Sequence, residues 1–87
     1  MKIEGAVIRE QNQTFAVVVV KRHLLDSTSE ANRTIQVFSP YFPGMPIVLA
    51  AQDSFGRFTY FGRKDISAFL ASVSPSRIPW KEYTFSN

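Results

Sequence analysis

Phe15-Ala16-Val17-Val18-Val19-Val20 is the longest uninterrupted apolar run in the sequence. It does not alternate between apolar and polar residues, and a continuous β-branched run of this kind belongs to a strand covered on both faces. A central strand over residues 14–22 therefore anchors the fold. Upstream, residues 2–9 form a second β-prone segment, and Glu10-Gln11-Asn12-Gln13 between the two has the length and polarity of a hairpin loop.

Downstream of the run, Ser27-Thr28-Ser29-Glu30 reads as a capping box, in which the Ser27 hydroxyl accepts from the Glu30 N–H and the Glu30 carboxylate reaches back. A helix should start there. Ala31, Ile35, Phe38 and Phe42 recur at helical spacing on one face, while Glu30, Asn32, Arg33 and Gln36 point away. Pro40 stops the helix, because the residue before a proline avoids the α region. Ser39-Pro40-Tyr41-Phe42-Pro43-Gly44-Met45-Pro46 is then a stiff connector.

A second hairpin follows: strand 47–52, the turn Asp53-Ser54-Phe55-Gly56, and strand 57–61. Ile66, Phe69, Leu70 and Val73 have the spacing of a short helix that ends before Pro75. The tail, Trp80-Lys81-Glu82-Tyr83-Thr84-Phe85, is β-prone and reads either as a fifth strand or as a packing arm.

The expected fold is thus α+β, a two-layer sandwich in the order ββαββα with a four- to five-stranded mixed or antiparallel sheet and both helices on one face. Two readings of that order stay open: a duplicated ββα unit, whose hairpin loops would share Gln11-Asn12 and Gln52-Asp53, or a plain succession of small elements. With both helices on one side, the opposite sheet face would expose more apolar surface than a monomer usually leaves open. That points to a homodimer through the sheet face or the tail, unless residues 80–85 fold across it.

Eighty-seven residues make a single domain, and eight Phe, three Tyr and one Trp supply enough apolar surface for a core of modest stability. The sequence has no cysteine, which excludes disulfides, thiolate metal sites and cysteine nucleophiles and suits a reducing compartment. No apolar run approaches the roughly 20 residues that span a bilayer, and the first residues lack the pattern of a secretory signal, so a cytoplasmic location without membrane partners is expected. Asn12-Gln13-Thr14 and Asn32-Arg33-Thr34 match a glycosylation pattern but have no functional weight in that setting.

A net charge of +3 and a pI near 9.6 permit a nucleic-acid or phosphate-bearing partner without requiring one. Two features carry that alternative. Gly62-Arg63-Lys64-Asp65 precedes the second helix, and cations at a helix N-terminus oppose its dipole by about 0.3–1 kcal/mol unless an anion sits there. Phosphate-loop consensus motifs are absent, and the bland reading is a set of solvated side chains. The aromatics Phe55, Phe58 and Tyr60 interleave with Arg57, with Lys21, Arg22 and His23 at the end of the central strand. Such a set can stack single-stranded bases and meet phosphates, although eight Phe residues must mostly be core. Arg57, Phe58, Tyr60, Arg63 and Lys64 are the candidate anion- or nucleic-acid-binding residues.

Catalysis has little to draw on. His23 is the only histidine and has Asp26 three residues on, too few ligands for a metal site, and no nucleophile elbow or paired-carboxylate motif occurs. The sequence is therefore expected to be a non-enzymatic binding module with no catalytic residues, metal or cofactor. A nucleic-acid-binding module is the alternative, and a small enzyme acting on an anionic substrate at residues 62–65 comes third.

Overall fold

Lys2–Glu10 and Gln13–Val19 form the antiparallel strands β1 and β2, and the turn between them places Asn12 in the left-handed region at φ 64°. The short polar side chain of asparagine tolerates that conformation. The computed structural model describes residues 1–10 and 12–86, so Gln11, within the expected hairpin loop and its proposed repeat signature, and Asn87 lie outside the described residues.

The central strand ends three residues earlier than its sequence suggests. Arg22–Leu25 is instead a 3-10 turn leading to α1, Thr28–Phe38. The Ser27 hydroxyl caps α1 by accepting from the Glu30 N–H at 3.1 Å. Pro40 sits in a following 3-10 turn, Ser39–Tyr41, and Phe42 lies beyond the helix yet is buried on the same face. The chain then enters β3, Ile47–Gln52, and β4, Phe58–Phe61. It continues through α2, Lys64–Ala71, a 3-10 turn at Pro75–Arg77, and β5, Lys81–Thr84.

Among the described residues, the five strands make one mixed sheet in the order β4-β3-β2-β1-β5. Strands β2 and β3 are parallel, with Ala16 opposite Ile47 and Val19 opposite Ala50, and the other neighbours are antiparallel. The tail is therefore a strand, paired with β1 from Lys2 opposite Thr84 to Gly5 opposite Lys81.

The expected placement of both helices on one face is corrected. Phe15, Val17, Val48 and Ala50 pack with Ile66 and Leu70 of α2, whereas Ala16, Val18, Ile47 and Leu49 pack with Ala31 of α1. The helices lie on opposite faces in three layers, while the α+β class, the mixed sheet and the ββαββα order are as read. The cause is in the strands: Phe15 to Val18 and Ile47 to Ala51 are buried without a break, so β2 and β3 need cover on both sides. The parallel step from β2 to β3 requires a crossover, which carries α1 over one side, and α2 shields the other. Fully buried side chains such as Leu49 and Leu70 each contribute about 1.5–3 kcal/mol. Each sheet face carries a helix, so the uncovered face inferred from sequence is corrected, and among the described residues β4 and β5 are the strands with one side unpaired.

Candidate functional site

The edge at β4 is built from its turn outward. Asp53 organises the β3–β4 hairpin: Oδ1 accepts from the Phe55 N–H at 2.8 Å and from the Arg57 N–H at 3.0 Å, and Oδ2 pairs with the Arg57 Nε at 3.2 Å. Gly56 closes the turn at φ +82°, a conformation that side chains rarely adopt. The Arg57 N–H, joined by the Phe55 N–H and the Arg57 guanidinium, holds the Asp53 carboxyl below the usual carboxylate range. With the turn fixed, Phe55 stands at its tip, 81% exposed, under the Arg57 guanidinium at 5.4 Å.

Among the described residues, strand β4 pairs with β3 alone, so its outer edge is open. The Asp53 N–H bonds the Arg57 carbonyl, and the antiparallel ladder alternates from there: Thr59 and Phe61 bond to Ala51 and Leu49. The N–H and C=O groups of Phe58 and Tyr60 consequently point away from the sheet, into solvent. No residue from Phe58 to Phe61 is charged.

The rings of Phe58 and Tyr60 lean toward α2. They stack on each other at 6.0 Å, and Phe58 stacks on Trp80 at 5.2 Å. The Tyr60 hydroxyl is buried without a hydrogen-bond partner among the described residues, and desolvation pushes its pKa up. Beside these rings, Thr59, Lys64, Ser67, Ala68 and Ala71 line an open concavity of about 500 Å³. At the junction with α2, a side chain on Gly62 would press to 2.9 Å from the Val48 Cγ2, so the glycine permits the close approach that seats the helix on β4.

Arg63 forms a two-pronged pair with Asp65, 2.6 Å from Nη2 to Oδ2 and 3.1 Å from Nε to Oδ1, at the exposed start of α2. The Arg63 side chain holds the Asp65 carboxyl below its ordinary range. Lys64 is exposed.

The five residues singled out from sequence thus gather around β4 and the start of α2, but in different roles. Phe58 and Tyr60 are half-buried packing rings, Arg57 and Arg63 are engaged with their own carboxylates, and Lys64 is in solvent. Lys21, Arg22 and His23 are exposed at the end of β2 and in the 3-10 turn after it. No cluster of three or more His, Cys, Asp or Glu side chains that could hold a metal ion occurs among the described residues, and no helix there is long and apolar enough to cross a membrane.

Sequence reasoning placed Phe55 in a turn and among the base-stacking aromatics but not as a lone exposed tip, and it passed over the outward main chain of β4. The first was signalled by a large apolar residue inside a turn motif, Asp53-Ser54-Phe55-Gly56. The second has no side-chain signal, because it depends on strand order. Compared with models of protein families, with curated proteins and with solved structures, the chain finds no match in any of the three.

Proposed function

We propose that this protein is a non-enzymatic interaction module of the cytoplasm that takes up an extended strand along the open edge of β4, with Phe55 as its apolar anchor. The observation that carries the reading is the position of Phe55, 81% exposed at the tip of a hairpin whose second strand is an open, uncharged sheet edge. Edges are ordinarily blunted by charge or proline because their free N–H and C=O groups template pairing. Strand addition uses that main chain for affinity and neighbouring side chains for selectivity. Of the two routes expected from sequence for a homodimer, the sheet face carries a helix and the tail is strand β5 at the opposite edge, so the β4 edge offers a third route that the sequence reading did not name.

A photo-reactive amino acid at position 59, in the middle of β4, tests the proposal in cells. Adducts should form there and not at position 37 on the exposed side of α1, and Phe55→Ser should abolish them while leaving the fold intact. Equal labelling at both positions, or labelling indifferent to Phe55, would remove the reading.

A further inference from the structure

We infer that the strand taken up at this edge is β4 of a second copy, paired antiparallel about a two-fold axis that passes between the two Thr59 residues. The inference rests on the reading of the β4 edge as the binding surface and names its occupant.

The outward groups decide the register. Phe58 and Tyr60 are the two outward residues of β4 and stand two positions apart. Antiparallel pairing of Phe58 with the second copy's Tyr60, and of Tyr60 with its Phe58, makes two N–H···O=C bonds in each pair. All outward N–H and C=O groups of these residues are then satisfied on both copies. A two-fold interface must be self-complementary, and this edge is so in its main chain alone. The axis lies normal to the sheet, so faces are preserved: the Phe58 and Tyr60 rings of both copies fall on the α2 side, and Thr59 meets its own counterpart.

Thr59 is exposed and occupies the non-hydrogen-bonded position, where directly opposed Cβ atoms come within about 4.5–5.5 Å and threonine pairs favourably with threonine. Charge sets little against self-pairing here. The protein carries +3 overall, yet β4 is uncharged, and the nearest arginines, Arg57 and Arg63, are offset by Asp53 and Asp65, which leaves the exposed Lys64 as the nearby cation. The opposite edge, β5, carries Lys81 and Glu82, the kind of charge that keeps edges apart.

The absence of native cysteine makes single-cysteine cross-linking clean. Under mild oxidation Thr59→Cys should close a disulfide between copies at least about tenfold faster than Thr84→Cys on the β5 edge, because opposed positions of a non-hydrogen-bonded pair meet disulfide geometry. Thr59→Asp sets two carboxylates face to face and should weaken the dimer by about tenfold or more, with an unchanged circular dichroism spectrum. A wild-type chain that sediments as a monomer at high micromolar concentration overturns the second copy alone, since the photo-label at position 59 reads other partners independently. A dimer that cross-links through Thr84→Cys in preference to Thr59→Cys overturns the second copy at β4, and the photo-label at position 59 then decides the strand-addition reading by itself.

Discussion

Phe58 and Trp80 stack at 5.2 Å with their planes inclined by 23°, although Phe58 opens the strand at one sheet edge and Trp80 leads into the strand at the other. The segment between α2 and β5 is thereby drawn across the α2 face, where Ile78 is buried in the same cluster and the Trp80 Nε1 donates to the Pro75 carbonyl at 3.0 Å. This is how a short domain seals a face that one eight-residue helix cannot cover.

Truncating that stack should be costly. Trp80→Ala is expected to lower stability by about 2–3 kcal/mol, less than a fully buried aromatic because the ring is only half-buried. Trp80→Phe keeps the stacking partner and loses the indole hydrogen bond, at about 1 kcal/mol. Urea denaturation followed by circular dichroism measures both. Equal losses for the two variants would mean that the hydrogen bond, and not the stack, holds the segment.

The Asp53 turn predicts an acid-sensitive hairpin. The carboxyl of Asp53 is held below its ordinary value, chiefly by the Arg57 N–H, so the folded state favours its ionised form. The stabilisation it gives is present above the unfolded carboxylate value of 3.8 and is lost as pH falls through the lower folded value. Asp53→Asn should flatten that acid-side loss. Amide signals of Phe55 and Arg57, followed by NMR during acidification, should move together in the wild type, and independent movement would show that the two hydrogen bonds to Asp53 are not a unit.

The elements of this fold are written in local signals that the chain cannot evade: the Ser27 cap, the Pro40 stop, the Asp53-Ser54-Phe55-Gly56 turn and the unbroken run at Phe15 to Val20. The side of the sheet on which each helix packs is not local. It follows from the parallel pairing of β2 with β3, which joins Ala16 to Ile47 across an intervening helix, and no single segment announces that pairing. Yet the run itself demands two covered faces, which is incompatible with two helices on one side, so the correction was latent in Phe15 to Val20. At the site, residue types drew notice to Arg57, Phe58, Tyr60, Arg63 and Lys64, but the partners of Arg57 and Arg63 depend on side-chain geometry, and the free edge of β4 on strand order.

The nucleic-acid alternative draws on those same five residues and is separable by salt. Arg57 and Arg63 are committed to Asp53 and Asp65, and the rings of Phe58 and Tyr60 pack toward α2 and Trp80. Affinity for a single-stranded oligonucleotide is therefore expected to be weak and to change little in Arg63→Ala/Lys64→Ala. Fluorescence anisotropy across a salt series checks this. Tight binding that falls steeply with salt, and falls again in the double variant, would place nucleic acid ahead of strand addition.

At the far edge, Glu4 of β1 stands directly opposite Glu82 of β5. The reciprocal hydrogen bonds between Met1 and Phe85 mark a bonded pair, and alternation along the ladder makes Glu4 and Glu82 a non-bonded one, the closer kind, in which like charges oppose each other. Both are exposed, so the repulsion is modest, but it acts on a four-residue strand at the edge of the sheet. Glu82→Lys replaces repulsion with attraction and should raise stability by about 0.5–1 kcal/mol at low ionic strength. The gain should shrink as salt screens the pair, whereas a gain that persists in concentrated salt would have to come from strand propensity. Thermal denaturation of both proteins across a salt series separates these causes. Because the outward main chain of β5 is untouched by the change, the assembly state should stay as it is in the wild type.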